Sequence, residues 1–386
     1  MYVRSMDRDS FTECYLTLPA SGALAAVVEA GALYQQICEA ILERGIEPVQ
    51  EKVYGPQAER EEILAVRESA FRRAGLDPLL PCTFVDGRPG SDRSLAGVQL
   101  WGIVARAGAG VRVSSVQCPD SPSGRIIRGD DFEILYLPHL SGMGSEAAGE
   151  GAAAQAERMF ARAGAAVRAC GHVYADVVRT WIYLSRILDW YDEFNRVRSD
   201  FHAGHALDGR ADGRPFPAST GVQGGSRGEE CMMDLLALRV GDAADIDIHP
   251  VLDSRRQGNA FAYGSGFSRA VSLSIEGRQT LFVSGTASID RAGRTVHGGD
   301  YEGQAIETLL NVAALVEEQG GRLRDLAIGT VFCKDEKMLA TYRDVAHLLG
   351  LEDLPLIAVL ADVCRSELLI EIEAVALVAN RPPPSA

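Results

Sequence analysis

No apolar stretch in this 386-residue chain is long enough to cross a bilayer. The opening residues, Met1-Tyr2-Val3-Arg4-Ser5-Met6-Asp7-Arg8-Asp9, carry acids where a secretory leader needs an apolar segment. These features predict a cytoplasmic protein with no membrane partner. Positive charge is also scarce, because 38 Lys and Arg stand against 53 Asp and Glu and leave a formal charge of −15. Phosphate backbones are bound by clustered Lys and Arg, so no nucleic-acid partner is expected, and an anionic substrate has to meet a local basic pocket. The eight cysteines (14, 38, 82, 118, 170, 231, 333 and 364) include no Cys-x-x-Cys pair. The histidines offer only His202-Ala203-Gly204-His205 as a close pair, so the cysteines are expected as reduced thiols and no metal site is expected.

With 47% hydrophobic residues, the chain has enough apolar content and length for two or three domain-sized cores. The stretch from Gln304 to Val345 reads as a helix with three- and four-residue apolar spacing, a Gly-Gly break, a strand and a second helix. The stretch from Gln155 to Asn195 repeats that order, and Asp325 and Phe332 each lie 149 residues beyond Asp176 and Tyr183. Hairpin strands precede both helices, at Gln279 to Thr286 and at Glu133 to Pro138. Strands predicted at the sheet edge, Leu368 to Val378 and Cys231 to Leu238, close both copies. Here the offset falls to 139, so the earlier copy carries about ten extra residues, placed in the loop around Leu207 to Arg214. A fainter copy at the N-terminus has a truncated hairpin near Tyr15 to Leu18, a helix over Gln35 to Arg44, a strand over Val49 to Tyr54, a helix over Glu59 to Arg73 and a closing strand over Val98 to Ile103. The fold class is therefore α+β, with three internally repeated units in a pseudo-trimeric ring: 1–108, 109–245 and 246–380, then a frayed tail over 381–386. Such a ring satisfies its own interfaces and is expected to be a monomer.

Along Leu368 to Val378 the side chains alternate, so Glu371 and Glu373 share a face with Leu369 and Val375. A carboxylate on an apolar strand must be paired, solvated in a cleft or neutralised. The earlier copies carry Met232 and Gln99 where this one carries an acid, so one unit alone is expected to keep its chemistry.

Three stretches together carry a resemblance: Tyr263-Gly264-Ser265-Gly266-Phe267-Ser268-Arg269-Ala270, Leu281-Phe282-Val283-Ser284-Gly285-Thr286-Ala287-Ser288-Ile289 and Glu371-Ile372-Glu373-Ala374. They resemble the YjgF/RidA superfamily and, more narrowly, the chorismatases, from about Gln155 to Val378. The resemblance implies a chorismate-mutase-like fold with ligands bound between units. It also implies cofactor-free cleavage of chorismate to pyruvate plus a hydroxybenzoate or a dihydroxycyclohexadiene carboxylate. Imine deaminases of the superfamily carry an Arg in a Pro-Ala-Arg-Ser segment, and that Arg is missing from both Pro355-Leu356-Ile357-Ala358 and Pro217-Ala218-Ser219-Thr220. Arg269 stands where those deaminases usually carry a neutral amide.

By this resemblance Glu371 is the general acid that protonates the enolpyruvyl methylene, a role suited to a carboxyl whose pKa burial raises. Glu373 either raises that pKa or pairs with a base. A Cys seven residues before the catalytic Glu marks the chorismatases that form 3-hydroxybenzoate, and Cys364 has that spacing; its alternative is a buried space-filler. Arg269 and Tyr263 are candidates for substrate carboxylate binding, and the Ser284-Gly285-Thr286-Ala287 turn for anion contact. Arg179 and Trp181, on a strand of the middle copy, are placed on the opposite wall. Two other readings stay open: hydrolysis to the diene diol, and a non-catalytic binding protein on the same scaffold.

Overall fold

The computed structural model describes residues 1–90, 94–118, 122–143, 151–207, 216–225, 228–241 and 246–379. Most of the predicted insertion after Leu207, and the tail from Asn380, lie outside the described residues. Among the described residues the first unit consists of β1 (Tyr2–Asp7), β2 (Phe11–Pro19), α1 (Ala26–Arg44), β3 (Glu47–Gly55), α2 (Arg60–Arg73), β4 (Thr83–Asp86) and β5 (Gly97–Ala105). The second consists of β6 (Arg112–Val116), β7 (Gly124–Arg128), β8 (Phe132–Ser141), α3 (Ala152–Ala169), β9 (Val177–Leu184), α4 (Ile187–Gly204), β10 (Ala218–Gln223) and β11 (Cys231–Val240). The third consists of β12 (Ile246–Val251), β13 (Ala270–Ile275), β14 (Arg278–Ala287), α5 (Tyr301–Glu318), β15 (Leu326–Cys333), α6 (Glu336–Leu348), β16 (Leu356–Leu360) and β17 (Ile370–Val378).

Each unit builds one mixed sheet, in the orders β1-β2-β5-β3-β4, β6-β7-β8-β11-β9-β10 and β12-β13-β14-β17-β15-β16. The three orders superpose, except that the first sheet lacks a counterpart of β6 and β12. The N-terminal hairpin predicted to be truncated is complete, with β1 and β2 paired from Tyr2↔Thr17 to Asp7↔Thr12. Helix α1 begins nine residues before the predicted Gln35, at Ala26, where the Glu29 carboxylate accepts hydrogen bonds from the Ser21 and Gly22 amides and stops the chain from fraying. The closing strands are central rather than at the edge, since β17 pairs with β14 on one side and β15 on the other. A strand paired on both sides and covered on both faces reads as a nearly continuous apolar run, which is why its position was not visible in the sequence.

Alternation along β17 sends Ile370, Ile372, Ala374 and Ala376 toward α5 and α6, and Val375 and Leu377 into the central core. Leu369, one residue before the strand, turns to the helix side and does not share the face of Glu371. Helix pairs cover the outer face of each sheet, while the inner faces of all three meet in one shared core. Neighbouring units join by β10 against β14, by β16 against β2 and by β3 against β7 and β8. The contacts include Ser219 N to Ser284 Oγ at 2.8 Å, Thr17 Oγ1 to Pro355 O at 3.4 Å and Thr83 Oγ1 to Asp234 Oδ1 at 2.9 Å.

Candidate active site

Strand register defines which positions correspond around the ring. Glu371 lies opposite Phe332, Met232 opposite Tyr183 and Gly97 opposite Tyr54. Glu373, Asp234 and Gln99 form the next set, opposite Thr330, Trp181 and Lys52. Gln99 is thus the counterpart of Glu373, and Gly97 that of Glu371, a two-residue correction to the sequence alignment. Glu371 is the one acid of its set, beside Met232 and Gly97.

Glu371 closes the inner end of a cavity of about 540 Å³ at the junction of the second and third units. From the third unit come Tyr263, Ser265, Phe267, Arg269, Gly285, Ala287, Ile289, Cys364, Arg365 and Leu368, and from the second Tyr191 and Arg198 of α4 with Ser219 and Gly221 of β10. The carboxyl is 4% exposed, and burial together with the neighbouring Glu373 pushes its pKa up to about 8 against the opposing pull of Arg179, Arg269 and Arg365. It rests on the backbone of β14 at Gly285, where a Cβ would stand 2.0 Å from its Oε1. Glycine is required there for close approach rather than for an unusual φ.

Three arginines line the same cavity. The Arg269 guanidinium donates through Nε and Nη2 to Gly258 O at 2.9 and 2.8 Å and through Nη2 to the Tyr263 hydroxyl, so its plane is fixed. Arg365 donates to Gly293 O at 2.7 Å and lies 5.7 Å from the Tyr263 ring centre. Arg198 donates to Asn195 Oδ1 at 2.6 Å, with Phe267 5.9 Å away. A chain of net charge −15 therefore concentrates cations at one concave site, the local basic pocket that an anionic substrate needs. Burial pushes the Cys364 thiol up to about 12, so it lines the cavity as a neutral group rather than as a nucleophile. The outer end opens into a second hollow of about 870 Å³ between α4 and the Tyr263–Ser265 turn.

Of the residues singled out in the sequence, the cavity brings together Glu371, Cys364, Arg269, Tyr263, Gly285 and Ala287. Ser284 is not on its wall: fully buried, its hydroxyl donates to Ser268 O at 2.6 Å and accepts from Ser219 N, stitching two units together. Thr286 likewise points away and donates to Ser284 O at 2.9 Å. Arg179 and Trp181 do not form the opposite wall. They lie at the ring axis, where Arg179 Nη2 meets Glu373 Oε2 at 2.6 Å and Lys52 Nζ lies 4.1 Å from the Trp181 ring. Lys52 Nζ also stands 3.6 Å from Glu373 Oε1, so Glu373 is paired with bases from both other units. The opposite wall is instead α4, whose Tyr191 and Arg198 were not singled out. Their seven-residue spacing, two helical turns on one face, was the available signal.

The endoribonuclease L-PSP family model matches residues 258–378. A RutC family protein of Pyrococcus horikoshii is 32% identical over 106 residues, covering 27% of this chain and 84% of that protein. A chorismatase of Streptomyces rapamycinicus is 33% identical over 219 residues, 52% of this chain and 64% of the relative. A 3-hydroxybenzoate synthase of Streptomyces hygroscopicus is 29% identical over 229 residues, 53% of this chain and 64% of the relative. The chain thus spans somewhat under two thirds of the length of these last two. A chorismatase crystal structure shares the fold, with a TM-score of 0.57 at 24% identity over 85% of this chain and 92% of that one. The repeated sheets and these likenesses agree, and the chain belongs to the RutC family, within the YjgF/RidA superfamily.

Proposed function

We propose that the protein cleaves chorismate to pyruvate and 3-hydroxybenzoate, with Glu371 as the general acid. The observation that carries this reading is a carboxyl still protonated near neutral pH, at the end of a cavity ringed by Arg198, Arg269 and Arg365. Chorismate is a ring dicarboxylate with an enol ether arm, so it needs cations for its carboxylates and one proton at the terminal methylene carbon. Proton transfer from Glu371 gives an oxocarbenium ion, and the carboxylate left behind stabilises the cation beside it. Capture by the adjacent ring hydroxyl, with later loss of pyruvate and aromatisation, gives 3-hydroxybenzoate and consumes no water. Capture by water gives pyruvate and the diene diol. The weakly polar Cys364 thiol beside Glu371 favours the first route by excluding water from the reacting carbon. The relative named 3-hydroxybenzoate synthase supports the same product.

The test is incubation of the purified chain with chorismate, following pyruvate and identifying the ring product by chromatography and mass, with Glu371→Gln alongside. Pyruvate with 3-hydroxybenzoate is the expected result. The diene diol in its place keeps chorismate cleavage and overturns the role of Cys364, and folded protein that releases no pyruvate overturns the whole reading.

A further inference from the structure

Where the inner faces of the three sheets converge lies a second, small chamber, with room for an occupant about the size of a water molecule, which shares no lining residue with the Glu371 cavity. All three units contribute: Gln50, Lys52 and Trp101 from the first, Arg179 and Trp181 from the second and Glu373 from the third. Two cations here face one carboxylate. Arg179 spends Nη2 on Glu373 and on Thr220 Oγ1, each at 2.6 Å, while its Nε and Nη1 have no acceptor in the protein. Trp101 Nε1 has none either, and the Gln50 amide reaches toward the Tyr136 hydroxyl without closing a bond to it. Every unpartnered polar atom of the lining is thus an N–H donor, and Arg179 and Trp101 are only 1% and 5% exposed.

The chemistry of these donors selects the occupant. A water molecule accepts two hydrogen bonds but must also place two hydrogens, for which the lining offers one carboxylate, bonded through Oε2 to Arg179 and standing 3.6 Å through Oε1 from Lys52. An anion needs only donors and places negative charge beside Arg179 and Lys52, which outnumber the carboxylates of the lining. We propose that the axial chamber is a binding site for one small monovalent anion of halide size, separate from the cavity that holds Glu371. Gln50 and Ile328, both half-buried, form its more accessible end.

The chain's own tryptophans report on the site, since Trp101 and Trp181 line it and Trp190, the third, lies on α4. The full chain is titrated with iodide at constant ionic strength, the balance made up with gluconate, while tryptophan emission is followed. The expected result is a saturable quenching step above a shallow linear background, displaced by chloride. Arg179→Lys keeps a cation beside Glu373 and removes the two free donors, so it should weaken the saturable step by roughly 10-fold or more; Gln50→Leu leaves the ion pairs intact and should weaken it by roughly 3-fold or more. Circular dichroism establishes that each variant folds, and Gln50→Leu carries the test alone if Arg179→Lys does not. Purely linear quenching, insensitive to chloride, overturns the proposal in favour of water. A saturable step unchanged in a folded variant overturns it too, because the ion then sits elsewhere.

Discussion

Glu371 is an acid that folding works against once it ionises, and this couples stability to activity. Its folded pKa of about 8 lies above the ordinary 4.5, so between these values the folded state binds more protons than the unfolded one. Its contribution to stability is therefore fully present below about pH 4.5 and is lost as pH rises through about 8. Glu371→Gln keeps the shape without the charge, and its unfolding midpoint should exceed that of the wild type increasingly toward pH 9 in denaturant titrations run at several pH values. The same variant should lose about 10²- to 10⁴-fold in kcat with chorismate. In the wild type, kcat/KM should fall on the alkaline side with an apparent pKa near 8, because the reacting form is the protonated one. Gly285→Ala offers a second approach to the acid: its methyl would need the space of Glu371 Oε1, 2.0 Å away, so the carboxyl must swing off the β14 backbone. The expected outcome is a kcat loss of about 10²-fold or more with a folded protein, read by steady-state kinetics and circular dichroism. At this scale the sequence was informative: an acid on an apolar strand, a glycine where backbones approach and a cysteine seven residues upstream can all be seen in one dimension. Ser284 and Thr286 were misplaced because a polar turn reads the same whether its hydroxyls face a ligand or a neighbouring backbone, and here Ser219 N and Ser268 O take Ser284.

The elements that carry the site show where one-dimensional reading stops. The helix–strand–helix repeat was legible because its core keeps a constant 149-residue offset, and strand β9 corresponds to β15 without a gap. The contribution of α4 was not, because Tyr191 and Arg198 act on a strand of the next unit, and their seven-residue spacing marks a shared helix face without saying which cavity that face meets. Strand β9 teaches the same lesson in reverse. Its Arg179 was expected to hold substrate and instead holds Glu373, with Lys52 on the far side of the carboxylate. Breaking a buried pair leaves a charge without its partner, so Arg179→Met should cost about 3–5 kcal/mol in urea unfolding. Arg179→Met combined with Glu373→Gln should recover much of that loss, since a coupled pair is non-additive. Equal costs for the single and double variants would show that Arg179 stabilises through packing against Trp181, whose ring lies 4.7 Å from its guanidinium carbon, rather than through the ion pair.

For the molecule as a whole, fusing three units allows three unequal junctions. At one of them the β10–β14 contact leaves the cavity with Glu371; the matching register position at the others is Met232 or Gly97, neither of which can donate a proton. All three junctions are closed by polar contacts within the chain. Arg125 Nε donates to Pro48 O at 3.0 Å between the second and first units, Ser219 N to Ser284 Oγ at 2.8 Å between the second and third, and Gln99 Nε2 to Gly329 O at 2.6 Å between the first and third. Arg8 adds to the last of these, reaching from the first unit to Ile275 O at 2.8 Å and Arg278 O at 2.6 Å. An ancestral trimer of separate chains would have needed partner subunits for these bonds, whereas here the covalent chain supplies them at high effective concentration. The large apolar side chains left exposed are few on each element, such as Val28 and Leu42 on α1, Ile306 and Leu310 on α5 and Leu348 at the end of α6. We therefore expect a monomer: light scattering behind a sizing column should give about 41 kDa, matching the chain mass of 41.4 kDa, and the value should hold as loading concentration rises. A mass of twice or three times that value would mean that a surface outside the three internal junctions associates, and the helix faces bearing these exposed side chains would be the first to substitute with charge.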